Sequence, residues 1–230
     1  TPVCSSAASD VYKRQPLPLP VIASFDAADF LVTSSNREAV AWIGRWPEWP
    51  GRCLLLSGAS GSGKSHLARI WAARVGAGVT AGHSLDLQAV LSVSKAVCID
   101  DADACQNPAA LFHLINRVRE QSGYLLMTAT VETAAWPHVL PDLTSRLRAM
   151  PRAKLLMPDD DLLAGIAAKL FADRQLTVPD GVIELMLARL ERSHGAFAAA
   201  VAALDAAALA SRRAITLPLA RSVLQTSTES

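Results

Sequence analysis

The stretch Gly58-Ala59-Ser60-Gly61-Ser62-Gly63-Lys64-Ser65 limits what this chain can fold into more than any other. It has the form GxxxxGK[ST] and stands between an apolar run, CLLLS at 53–57, and the segment KSHLARIWAARVG at 64–76. In that segment Leu67, Ile70, Trp71 and Val75 recur at helical spacing and Gly76 is a stop signal. A glycine-rich loop between a buried strand and a helix can turn its backbone N–H groups onto a phosphate, and the helix N-terminus adds positive potential. Lys64 would then reach the outer phosphates of a nucleotide, and the Ser65 hydroxyl would ligate Mg²⁺. Residues 58–65 are therefore expected to form a phosphate site.

Such a site also needs a carboxylate at the end of a neighbouring strand. KAVCIDD at 95–101 supplies two, Asp100 and Asp101, directly after four apolar residues. In an extended strand, adjacent side chains point to opposite sides, so the two should differ in role. Asp100 is assigned to the Mg²⁺ shell, and Asp101 to orienting or polarising an attacking water. A polar group on the next strand would complete the site, and Thr128 and Thr130 of YLLMTAT (124–130) are both candidates. Asp103 reads as a surface acid.

The remaining sequence places these elements in an α/β fold. CLLLSG, KAVCIDD and YLLMTAT are apolar throughout and separated by helical patterns, which implies a parallel sheet covered on both faces. In NPAALFHLINRVREQSG, Asn107 is expected to cap the helix, Pro108 to open it and Gly123 to end it. After about residue 157 the strand pattern stops. Acid-led DDDLLAGIAAKLFADR, then PDGVIELMLARLERS, GAFAAAVAALDAAALASRRA and TLPLARSVLQ, read as helices of a second, small all-helical unit. A 51% hydrophobic fraction, much of it alanine, supports a full core, and a net charge of +1 provides no global attraction for nucleic acid or membrane.

Cys4, Cys53, Cys98 and Cys105 show no CxxC or metal-type spacing and read as reduced thiols. His66, His83, His113, His138 and His194 share no helix face, so no metal cluster is expected. Trp46 and Trp49 in RWPEWPG are expected to pack ahead of the first strand. No run approaches the roughly 18 uninterrupted apolar residues of a membrane span, so a cytoplasmic protein is expected. Residues 1–14 carry no periodicity and are set aside as a tail or a cloning or sequencing scar. After them, Gln15-Pro16-Leu17-Pro18-Leu19-Pro20 is a stiff extended peptide, read on composition as a polyproline-like linker.

The order of GASGSGKS, CIDDADA, LLMTAT and LPDLTSRLRAM, followed by lid helices, resembles the AAA+ family of the bacterial replication initiator DnaA. It is more similar still to the Hda-type regulatory members of that family, in their alanine-rich alphaproteobacterial form. The resemblance covers roughly residues 15–225. It implies a P-loop AAA+ domain over residues 23–156, its parallel sheet sandwiched by helices, and a helical lid domain over 157–230. ADP or ATP with Mg²⁺ is the implied ligand. DFLVTSSNREAVAWI at 29–43 is similar to the family segment that lies against the adenine, which assigns Asn36 to the nucleotide. Arg146, in LTSRLR, matches the family's arginine finger, with Arg148 its nearest competitor. Gly195 stands where the family's lid arginine falls, with Arg192 three residues earlier, and Thr130 stands in place of a strand-end acid. Both departures predict weak intrinsic hydrolysis by a chain that still binds nucleotide.

The implied partners are DnaA, whose ATP hydrolysis the chain would stimulate, and the DNA polymerase III sliding clamp (the β subunit). Self-association is a further implied partnership. Family members begin with a glutamine-and-leucine peptide that binds the clamp, so residues 15–22 become a clamp-binding peptide through Gln15, Leu17 and Leu19. The family's DNA-reading helix-turn-helix has no counterpart before Ser230, so no sequence-specific DNA binding is expected. Two other readings share the core: a DnaC/IstB-like ATPase that loads a helicase or assists transposition, and a nonenzymatic nucleotide-locked adaptor.

Overall fold

The computed structural model describes residues 31–88, 95–136, 140–211 and 213–226. Strands β1 (Cys53–Ser57), β2 (Gly78–Ala81), β3 (Ala96–Asp100), β4 (Tyr124–Ala129) and β5 (Arg152–Lys154) form one sheet in the order β2-β3-β4-β1-β5. Every pairing is parallel, and β1 lies between β4 and β5. Helices α1 (Arg37–Gly44), α2 (Lys64–Val75), α3 (Pro108–Glu120) and α4 (Pro141–Arg148) accompany it.

The strand sequences explain why helices cover both faces. Alternate residues of a strand point to opposite sides, and all five residues of β1 and of β3 are buried. Cys53 and Leu55 of β1, with Ile99, Leu125 and Met127, pack against Leu111, Leu114, Ile115 and Val118 of α3 and Leu143 and Leu147 of α4. Leu54 and Leu56, with Cys98 and Leu126, pack on the other face against Val40 and Ile43 of α1 and Leu67 and Trp71 of α2. Trp49 lies inside this second core, stacked on Trp71 with ring centroids 5.2 Å apart and its indole N–H donated to the Trp42 carbonyl. Trp46 meets Tyr124 edge-on.

Local signals set several helix ends. Asn107 Oδ1 accepts the Ala110 N–H at 3.0 Å, with Pro108 in the first helical position. Gly76 takes a left-handed φ of 68° after α2. At the end of α3 that conformation falls on Ser122 (φ 53°), one residue before the expected Gly123, whose N–H then bonds the Val118 carbonyl.

The segment after β5 is a helical unit of α5 (Asp160–Asp173), α6 (Asp180–Arg189), α7 (His194–Ser211) and α8 (Leu217–Thr226). It has its own core of Leu163, Ala167, Phe171, Val182, Met186, Phe197, Val201, Leu204, Ile215 and Leu224. Among the described residues, α7 alone is long and apolar enough by composition to cross a membrane, yet Phe197, Val201 and Leu204 form one stripe within this core while Leu209 stands exposed.

The free thiols of Cys53 and Cys98 sit inside the sheet. Burial raises both out of the ordinary thiol range, Cys98 to about 12, with the Asp100 carboxylate adding to the effect there. Neither should react with a thiol reagent until the protein unfolds; mass spectrometry of native and denatured labelling reactions checks this.

Candidate functional site

The glycine-rich loop 58–65, the expected phosphate loop, leaves the C-terminal end of β1, where burial on both faces makes Ser57 a fixed point. Two of its glycines are conformationally required: Gly61 has φ +76° and Gly63, the N-cap of α2, φ +94°, both in the left-handed region. These turns bring Lys64 back under the loop. Its Nζ donates to the carbonyls of Gly58 at 2.8 Å and Ala59 at 2.9 Å. Burial pushes this ammonium below the ordinary lysine range, while the carboxylates of Asp101, Asp103 and Asp100 pull the other way. Ser62 Oγ is buried and has no hydrogen-bond partner among the described residues, a polar atom held at the loop with its bonding capacity unspent.

Across the sheet, β3 delivers the two carboxylates. Asp100 ends the strand, and the Thr128 hydroxyl of β4 donates to its Oδ1 at 2.6 Å. The same hydroxyl accepts the Asp101 N–H at 2.8 Å, and the Arg69 guanidinium lies 4.0 Å from Asp100 Oδ2. The premise that Asp101 continues an extended strand does not hold. Its φ and ψ are 52° and 54°, so the chain turns left-handed there and the side chains diverge through a backbone turn rather than strand alternation. Burial, then the neighbouring Asp100 and Asp103 carboxylates, raise the Asp101 carboxyl above its usual range, against the opposing pull of Lys64 and His83.

Of the two threonines, Thr128 is fully buried and already joins the two acids. Thr130 lies just past β4, exposed, with its N–H accepted by Asp103 Oδ2 at 2.8 Å. Asp103 also accepts the Val131 N–H at 2.9 Å, so it holds the β4 exit rather than standing idle on the surface.

Beside the loop opens a cavity of about 250 Å³ lined by Leu31, Pro158, Leu162, Ile166, Leu170 and Asn36, with Ser62, Gly63 and His66 at its phosphate-loop end. Asn36 is on the wall, but its amide is already used: Oδ1 accepts the Thr33 N–H and Nδ2 donates to the Leu31 carbonyl at 2.8 Å. It shapes the 31–36 segment that forms the wall. A residue that sequence reasoning missed fastens this wall to the lid. Asp159 Oδ1 caps α5 by accepting the Leu162 N–H at 2.9 Å, while Oδ2 accepts the Ser34 hydroxyl at 2.8 Å and the Ser35 N–H at 3.3 Å. Its only sequence signal was membership of the DDD run.

The Arg192 side chain is engaged at the hinge, although its backbone passes the loop at Gly61. Its Nε donates to the Pro158 carbonyl at 3.1 Å and its guanidinium pairs with Asp160 at 2.6 Å, so it braces the lid against the hinge. Ser193 caps α7 through the Ala196 N–H, and the space round Gly195 is open. Arg146, on α4, lies half-buried with its guanidinium 5.0 Å from the centroid of the Phe112 ring and forms no ion pair among the described residues. Gln15, Leu17 and Leu19 lie outside the described residues.

The donor set suits the ligands the sequence implied. The Ser65 hydroxyl and Asp100 carboxylate are hard oxygen ligands of the kind Mg²⁺ takes, and the buried lysine and orphaned Ser62 hydroxyl suit a phosphate. Among the described residues no cluster of histidine, cysteine and acidic side chains forms a separate metal site.

Thr128→Val keeps the shape but strips the partner from Asp100 Oδ1 and the Asp101 N–H; a loss of about 1–3 kcal/mol is expected in denaturant unfolding. For Asp159, burial acts to raise the carboxyl, but the bonds from Leu162, Ser34, Thr33 and Ser35 outweigh it and leave it below its usual range. The stabilisation is therefore present above the unfolded carboxylate range, near pH 4, and is lost as pH falls through the lower folded value. Asp159→Ala should cost about 1 kcal/mol at neutral pH, as helix-cap losses do, and the gap from wild type should close in acid titrations of stability.

Residues 167–224 match the family model described as "Hda, lid domain". Domain III of the Thermotoga maritima replication initiation protein DnaA superposes with a TM-score of 0.76 at 19% identity, covering 91% of this chain and 98% of that one. AMPPCP-bound DnaA from Aquifex aeolicus superposes at 0.64 with 17% identity, over 76% of this chain and 63% of its own length. The Thermotoga maritima RuvB Holliday junction branch migration motor also gives 0.64 at 17%, over 76% and 61%. No curated protein sequence matches the chain significantly. Over 91% of its length the chain has the fold of DnaA domain III, and within it residues 167–224 match the Hda lid domain.

Proposed function

We propose that this chain is a nucleotide-binding regulator of replication initiation, which brings Arg146 to the ATP site of DnaA and so stimulates hydrolysis there. The observation that carries this reading is the Hda lid at 167–224 on a DnaA-like core. The chain's own cavity would hold an adenine nucleotide, as AMPPCP-bound DnaA does. Gly58, Ala59, Ser60, Gly61, Ser62 and Gly63 would wrap the phosphates, Lys64 would pair with them, and Ser65 and Asp100 would hold Mg²⁺. Bound Mg²⁺ supplies charge neutralisation to the phosphates.

Within the chain, Thr128 holds Asp100 in place, and Asp101, with its carboxyl raised above the usual range, would face the water. Thr130 would stand beside that water. With no acid at 130 and an open position at Gly195, own-site turnover is slow, and the chain acts chiefly through its partner.

Arg146 fits the part of a donated arginine. The Phe112 ring holds it in place, yet among the described residues it forms no ion pair with a carboxylate. A planar guanidinium so presented can stabilise charge spread over a transferring phosphoryl group. The Gln15–Pro20 peptide would bring the complex to the sliding clamp: Gln15 for a polar pocket, Leu17 and Leu19 for an apolar one.

ATP loss from DnaA, measured with this chain and DNA-loaded clamp, tests the reading. Acceleration is expected, and Arg146→Ala should reduce it by roughly 10³-fold or more while the protein stays folded. No acceleration by the wild-type chain would remove the proposal; unfolding by Arg146→Ala would make Arg146 structural.

A further inference from the structure

The lid is held to the sheet domain in two different ways. At the hinge, Asp159 ties it to Ser34 and Ser35, while inside the lid Arg192 holds the hinge segment through the Pro158 carbonyl and Asp160. At the phosphate loop the contact has another character. Ser193 comes so close to the loop that a Cβ on Gly61 would stand 2.8 Å from the Ser193 Cβ. Next to it, the His194 ring at the start of α7 stacks on the His66 ring in the first turn of α2, centroids 6.3 Å apart and planes within 13°. Both imidazoles line the cavity, and both residues are exposed.

We propose that the His66–His194 ring pair is a releasable latch, which positions the lid over a nucleotide held in this cavity and sets how fast that nucleotide leaves. The inference rests on the nucleotide-binding reading above. The Asp159 bonds fasten the base of the lid to the 31–36 wall, whereas the ring pair joins the two units where the cavity meets the phosphate loop. Stacking of two small rings is weak and needs no directional bond, so it opens readily, unlike the carboxylate network at the hinge. It acts on the closed lid and not on the phosphates, so its loss shows in the release rate. It leaves the grip of Lys64 intact.

The test is stopped-flow release of a fluorescent N-methylanthraniloyl-ADP from the full chain. His194→Ala and His66→Ala should each speed release by roughly three- to tenfold, the range expected for one aromatic pair. The double variant should be no faster than the singles, because either truncation removes the same contact. His194→Phe, which keeps a ring but no hydrogen-bonding nitrogen, should restore slow release. Both positions are exposed, so the fold should persist; if one alanine variant melts, the other and the phenylalanine variant make the same comparison. Wild-type rates in both alanine variants, or failure of His194→Phe to rescue, would overturn the latch. Lys64→Ala separates the two readings. If wild type binds and Lys64→Ala does not, while the histidine variants release normally, only the latch falls. If wild type binds no nucleotide, the nucleotide reading falls and takes the latch with it.

Discussion

Burial of β1 on both faces is the constraint from which the site is built. A strand with no exposed residue cannot shift by one position without reversing every contact it makes, so its register against β4 and β5 is pinned. The phosphate loop begins where that strand ends. Its geometry is therefore inherited from the core, and the left-handed turns at Gly61 and Gly63 only redirect a chain whose starting point is already set.

The same logic extends sideways through Thr128. β4 lies between β1 and β3, and one buried hydroxyl on it accepts from the Asp101 backbone and donates to the Asp100 carboxylate. A short polar chain thus runs across the sheet at the edge of the site. Left unpaired, either group would carry the cost of a buried polar atom; paired, they hold the acid at the strand end.

The lid adds a second order of constraint. Asp159 belongs to two structures at once, as cap of α5 and as acceptor for the 31–36 wall. The cavity is bounded by that wall, the phosphate loop and α5, so its shape depends on the hinge. On the proposed reading, such an arrangement would let the pocket close over a nucleotide by fastening, without a catalytic charge from the lid entering it.

Much of this was legible in the residues. GASGSGKS between an apolar run and a helical pattern specifies the loop, because only that order supplies inward N–H groups, a helix terminus and a lysine together. The runs CLLLS, AVCID and YLLMTA declare buried parallel strands, since apolar residues on both faces leave no side for water. β2 and β5 were not legible: GVTA is half-exposed and RAK buries only Ala153, so neither carries a hydrophobic pattern of its own. The sequence by itself determined the glycine-rich loop between strand and helix, the central strands and the helical character of the lid, all set by local period and turn chemistry. Tertiary structure alone decided that Thr128 joins the two acids, that Asp159 clasps the pocket wall, that Arg192 braces the hinge and that His194 meets His66. Each of those pairs is remote in sequence, and its contact exists only because the sheet and hinge bring the two ends together.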